Sequence, residues 1–209
     1  LNVRSIGLSE PDEDIVYDES FKWWLTPGER THAAVRHARS IQGYENRVDF
    51  DSHIWRQAYY DLKEPVETDL VGLCPGSSTL GREKRVAPIA WQRIAQFLRG
   101  RGQRICWFLG PDERDLEAEL AEGGDLVEGG RFEEVIKQHS RCHLSMTHDS
   151  VHLHIRAHMP MQTATLFVRG EALEWGGYPD GITLLDFSNG TDLETAYLSM
   201  LDWFEDRIE

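Results

Sequence analysis

Lysine is scarce in this sequence. Lys22, Lys63, Lys84 and Lys137 are the only four, in a chain with a formal net charge of -14 and a pI of about 5.0. So acidic a surface repels nucleic acid and anionic lipid at long range, and neither is expected as a partner. A nucleotide ligand is not excluded, because it needs only a local positive pocket. Cysteine is scarce too. Cys74, Cys106 and Cys142 each lie in or beside an apolar run. Their odd number and irregular spacing give no disulfide framework. With no signal peptide in view, they read as reduced, buried thiols in a cytoplasmic protein. No apolar run approaches the roughly twenty residues that span a bilayer, so the chain is expected not to be transmembrane. There is no G-x-G-x-x-G fingerprint after the first long strand, which argues against a dinucleotide oxidoreductase. The chain opens on Leu1 rather than Met, which reads as a trimmed or partial chain.

What is present falls into two parts. Residues 1–65 form an acidic, partly helical segment with no strand series. Glu10-Pro11-Asp12-Glu13-Asp14 reads as solvated loop, and Phe21, Trp23, Trp24 and Leu25 as an aromatic cluster. Amphipathic helices are expected over Glu29–Gln42 and Asp49–Leu62, and Glu64-Pro65 marks a boundary. From there to residue 209 strands and helices alternate. The strands are expected at Leu70–Cys74, Arg104–Leu109, Asp125–Val127, Cys142–Met146, Gln162–Val168 and Ile182–Leu185. The helices are expected after Pro88, from Arg114, from Phe132, after Ser150 and over Asp192–Ile208. Alternation of this kind predicts parallel pairing through right-handed crossovers. The fold class is therefore α/β: a Rossmann-like, doubly wound parallel sheet over residues 66–209, with a short helical N-terminal appendage.

Three loops should converge at the carboxyl ends of the strands, where open α/β sheets hold ligands. The first, Pro75–Arg85, supplies Ser77, Ser78 and Lys84: hydroxyls, glycine amides and one ammonium, a set that suits a diphosphate or serves as a solvated connector. The second supplies Asp112 and Glu113, able to bind a ribose diol or to cap the next helix. The third is Asp149-Ser150, both good helix N-cap residues, with His154 one turn later. A helix N-terminus there would favour an anionic group. Histidines crowd the same stretch: His143, His148, His152, His154 and His158. On a strand–turn–helix layout they point in several directions. Only His154 and His158 share a helical face, and H-x-x-x-H without the Glu of a metalloprotease is a weak signal, so no metal is expected.

Three segments together resemble a known family. They are Leu73-Cys74-Pro75-Gly76-Ser77-Ser78 with Lys84-Arg85, Trp107-Phe108-Leu109-Gly110-Pro111-Asp112-Glu113, and Thr147-His148-Asp149-Ser150-Val151-His152-Leu153-His154 with Pro160. They are similar to the C-terminal half of the heptosyltransferase family of bacterial glycosyltransferases, which have the two-Rossmann-domain GT-B fold. The resemblance implies a donor site for a nucleotide-diphosphate sugar of the ADP-heptose type. It implies Lys84 on phosphate, Ser77 and Ser78 beside the phosphates, Glu113 near the ribose or base, and Asp149, Ser150 and His154 on sugar and diphosphate. No cofactor is implied beyond that substrate. A sugar or lipid-linked acceptor is implied, and no catalytic base is assigned. The chain departs from the family pattern at Val151 and Val168, where Gly is usual, and at Val86, where Trp is usual. Residues 1–65 are also too short for the acceptor-binding half, so a missing N-terminal domain, a partner subunit or a loss of transfer activity stand as alternatives. The competing expectations are a non-catalytic nucleotide-binding module and an interaction protein using Trp23, Trp24 and Trp55.

Overall fold

The computed structural model describes residues 6–8, 19–21, 61–77, 81–169, 182–188, 190 and 192–208. Ser78, the tryptophans at 23, 24 and 55, the helix expected over Glu29–Gln42 and all but the last two residues of the helix expected over Asp49–Leu62 lie outside them. The chain divides into two compact units, Leu1–Asp51 with Leu173–Trp175, and Ser52–Ala172 with Gly176–Glu209.

In the first unit Ile6–Leu8 (β1) and Glu19–Phe21 (β2) pair in parallel, Leu8 opposite Phe21. These two short strands lie in the segment in which no strand series is expected. Each strand is only three residues long, too short for a period-2 pattern to show against its acidic surroundings.

The second unit holds a six-stranded sheet, all parallel. Its strands are Glu67–Cys74 (β3), Arg104–Phe108 (β4), Leu126–Glu128 (β5), Cys142–His148 (β6), Gln162–Phe167 (β7) and Ile182–Asp186 (β8). Their spatial order is β5-β4-β3-β6-β7-β8. The chain builds outward from β3 in one direction, then returns to pair β6 on its other side. That reversal between β3 and β6 is the topological switch point, where the two carboxyl ends diverge and leave a crevice. The Rossmann-like class expected from alternating strands and helices is the observed one.

Helices cover both faces. Pro88–Gly100 (α1) begins with Pro at its first turn, where a missing N–H costs nothing. It buries Ala90, Trp91, Ile94, Ala95 and Leu98 at helical spacing. Leu193–Glu205 (α5) starts on Asp192, whose carboxylate accepts from the Thr195 amide at 2.9 Å, and buries Ala196, Met200, Trp203 and Phe204. These two helices pack with Val71, Leu73, Ile105, Trp107, Leu144 and Met146 into the main core. Full burial of side chains this size stabilises by roughly 1.5–3 kcal/mol each. Glu117–Leu120 (α2) is a single turn after a 3-10 segment, Pro111–Leu116, where a helix from Arg114 was expected. Phe132–Arg141 (α3) and Val151–Ala157 (α4) pack on each other through Ile136, Ile155 and Met159. Leu70, Cys74, Cys106, Phe108 and Cys142 form a separate apolar cluster, and the three thiols are free and buried.

Arg156 fixes α4. Its guanidinium is 1 % exposed. It donates to Thr163 Oγ1 at 2.9 Å and to the carbonyls of His139, Cys142 and Gln162 at 2.7, 3.2 and 3.2 Å. One side chain thus joins α4 to the end of α3, the start of β6 and the start of β7.

Candidate functional site

A cavity of about 420 Å³ opens at the switch point. Its walls come from the segments after β3, β4 and β6: Ser77, Gly81 and Lys84; Gly110 through Glu113; and Asp149 through His152. The three loops expected to converge do so.

Lys84 and Asp149 form its charged centre, with Lys84 Nζ 2.6 Å from Asp149 Oδ2. The lysine is about one-third exposed and the carboxylate nearly buried, at 34 % and 8 %. Lys84 closes a 3-10 turn, Arg82–Lys84, in which its amide donates to the Gly81 carbonyl at 2.9 Å. Ser77 Oγ donates to the Asp149 carbonyl at 3.2 Å, tying the end of β3 to the end of β6. Gly81 permits this closeness: a Cβ there would stand 2.4 Å from Ser77 Oγ and 2.5 Å from its carbonyl oxygen.

Glu113 lies in the wall but is already engaged. It is 6 % exposed. Its Oε2 accepts from the Gly110 amide at 2.6 Å, and its Oε1 is 3.6 Å from Arg85. Of the two roles open to an acidic residue in this loop, capping is the one observed, and the residue still faces the cavity. Gly76 gives the carboxyl its room, since a Cβ there would fall 2.3 Å from the Glu113 carboxyl carbon.

The third loop differs in detail from expectation. β6 runs on to His148, so the bend is confined to Asp149-Ser150. Ser150 occupies the N-cap position of α4 with extended backbone, but its hydroxyl caps nothing. That buried hydroxyl has no hydrogen-bond partner, although it lines the cavity. Asp149 does not cap either, because its carboxylate is turned to Lys84.

His154 does not line this cavity. It lies instead on a second, apolar cavity of about 290 Å³ with Phe132, Ile136, Val151, Ile155, His158 and Met159. His154 and His158 do share a face, as their spacing predicts. The histidine on the Lys84 cavity is His152, which sequence reasoning set aside. Its ring nitrogen Nδ1 is 2.9 Å from Nε2 of His139, and burial pulls its pKa down to about 4. His148 is buried beneath the Lys84 segment. Its Nε2 accepts from the Val86 amide at 3.1 Å, which requires the neutral ring, and burial holds its pKa at about 3. His148 thereby positions the chain that carries Lys84. Val151, 56 % exposed, stands on the lip between the two cavities.

No family model matches the chain, and no curated protein does. Solved structures do resemble it. The E. coli heptosyltransferase WaaC with ADP is 18 % identical with a TM-score of 0.68, over 91 % of this chain and 60 % of that one. The same enzyme with ADP-2-deoxy-2-fluoro heptose is 16 % identical with a TM-score of 0.63, over 91 % and 59 %. A glycosyl transferase of family 9 from Veillonella parvula is 18 % identical with a TM-score of 0.59, over 91 % and 57 %. At these identities the likeness establishes the fold alone, an α/β Rossmann-like one similar to that of these glycosyltransferases. The chain spans less than two thirds of the length of each of these structures. Among the described residues no helix is long and apolar enough to cross a membrane.

Proposed function

We propose that this chain is the donor-binding half of a glycosyltransferase of the heptosyltransferase kind, holding a nucleotide-diphosphate sugar at the β3/β6 switch point. The observation that carries the reading is the Lys84–Asp149 pair beside the unpartnered Ser150 hydroxyl in one open cavity. An ammonium and an unused hydroxyl are what a diphosphate needs: a counter-charge and a hydrogen-bond donor. The ADP and ADP-sugar bound by WaaC support the same class of ligand.

In this reading the diphosphate takes Lys84 from Asp149. The freed carboxylate then accepts hydroxyls of the sugar, and Ser77 and Ser150 flank the phosphates. Glu113, held in place by Gly110 and Arg85, faces the ribose. Transfer forms a bond from an acceptor hydroxyl oxygen to the anomeric carbon and breaks the bond to the diphosphate oxygen. The acceptor proton passes to a base on the acceptor-binding half, supplied by another domain or subunit. Lys84 offsets the charge that grows on the leaving diphosphate, so no added cofactor is required. The setting is proposed to be the bacterial cytoplasm. His154, on the neighbouring cavity, reaches the ligand only if the sugar or base extends past Val151. A non-catalytic nucleotide-binding module that uses the same cavity is the second reading.

A thermal-shift titration with ADP, UDP, GDP and their sugar conjugates tests the reading. A ligand bound only by the folded chain at about 100 times its Kd stabilises by roughly 2.7 kcal/mol. One nucleotide should raise the Tm, and Lys84→Ala and Asp149→Ala should each remove most of that rise. Equal shifts in all three proteins, or none with any nucleotide, would overturn the site. Turnover with an acceptor separates enzyme from binding module.

A further inference from the structure

We propose that Cys74, His139 and His152 form a buried site for a single thiophilic metal ion, zinc or copper(I), next to the Lys84 cavity. The three residues come from three elements that meet at the switch point. Cys74 ends β3, His139 lies in the last turns of α3, and His152 is in the first turn of α4. One ligand atom from each, the thiol sulfur and a ring nitrogen of either histidine, lies within 4.8 Å of the other two. The two rings approach to 2.9 Å, Nε2 to Nδ1. With metal–nitrogen bonds of about 2.0–2.1 Å, two imidazole ligands of one tetrahedral ion stand about 3.3 Å apart. The rings are therefore within a few tenths of an ångström of a ligating separation.

Cys74 and His139 are fully buried. His139 stacks on Phe108 at 3.7 Å, and its Nδ1 has no hydrogen-bond partner. An ion on Nε2 would leave this Nδ1 as it is, so the site stands on the placement of the three donor atoms. The donor set is specific as well. Two imidazoles and one sulfur, with no carboxylate among them, suit zinc and copper(I) and not magnesium or calcium. Binding forms a metal–sulfur bond and releases the thiol proton to solvent, so charge and atoms balance. Such an ion would tie the end of β3 to both helices that wall the cavity. The inference is independent of the glycosyltransferase reading.

The test is anaerobic titration of the whole chain, stripped with chelator, first with cobalt(II) as a zinc probe and then with copper(I) against a competing chelator. The expected result is one ion per chain, with a sulfur-to-cobalt charge-transfer band that zinc abolishes, or stoichiometric copper(I) retention; the two arms tell the ions apart. Cys74→Ser should lose the sulfur band, and His152→Gln should lose binding while circular dichroism shows an intact fold. Cys106→Ser, from the same apolar cluster, should bind as before. If the unaltered chain takes up neither ion, or His152→Gln keeps the same band and stoichiometry, the proposal fails. The titration of the unaltered chain decides the matter even if the buried variants misfold.

Discussion

The Lys84 cavity and the His154 cavity share one wall, Val151, and are built from opposite materials. The first, of about 420 Å³, is lined by the Lys84–Asp149 pair, the acidic residues Asp112 and Glu113, and the serines Ser77 and Ser150, from three converging loops. The second, of about 290 Å³, is lined almost wholly by apolar groups of α3 and α4. Both depend on the short helix α4, which presents His152 to one and His154 to the other. The difference shows how one turn of helix at a switch point divides a crevice into a side for charge and a side for apolar groups.

Acid should separate the two most strongly. His139, His148 and His152 are held neutral by burial around the polar cavity, with pKa values well below 6.5, about 3 and about 4 respectively. The folded chain thus binds fewer protons than the unfolded chain below pH 6.5. Stability is complete above that value and lost as pH falls toward 4. Each ring can contribute up to about 1.4 kcal/mol per pH unit, so the step from pH 7 to pH 5 should cost up to about 2 kcal/mol per ring. Urea midpoints at the two pH values measure this, and His148→Gln should flatten the dependence. A midpoint that does not move with pH would mean that these rings are hydrated and charged.

Arg156→Ala should erase the comparison by loosening both cavities together. It removes a buried guanidinium from three carbonyls and a hydroxyl. A loss of about 3 kcal/mol in chemical denaturation is expected. A loss below about 0.5 kcal/mol would show that α4 is held by its apolar contacts alone.

Val151→Gly is the smallest change and sharpens the contrast. It takes an exposed branched side chain off the shared lip and should cost under about 1 kcal/mol of helix stability. Nucleotide binding should tighten a few-fold by calorimetry, because backbone can then approach phosphate. Weaker binding would mean that Val151 packs on the ligand.

How much of this was readable in the sequence varies with the length and locality of each feature. The long elements were plain. β3 carries the buried run Leu70–Cys74 on which it was expected, and extends back to Glu67; α1 carries helical spacing over 13 residues and starts at Pro88, where a helix was expected to follow. The convergence of Ser77, Lys84, Glu113 and Asp149 also followed from topology alone. Three-residue strands such as β1 and β2 leave no period to read. The 3-10 segment at Pro111–Leu116 was hidden by residues that cap a helix as well as a turn. The start of α4 after Ser150 was legible, but His154 was placed on the ligand by the resemblance, and packing against α3 decides that His152 faces the Lys84 cavity and His154 the apolar one. The His139–His152 contact joins two different helices, so no local spacing encodes it. A buried histidine late in α3 was the available signal.

The Lys84–Asp149, Ser77–Asp149 and Val86–His148 contacts bridge 65, 72 and 62 residues of sequence. Each closes a long loop, whose entropy is recovered only when β6 docks beside β3. A chain that has paired β3, β4 and β5 already has its lysine and its serine in place with nothing for them to face. The docking of β6 and the completion of the site are one event.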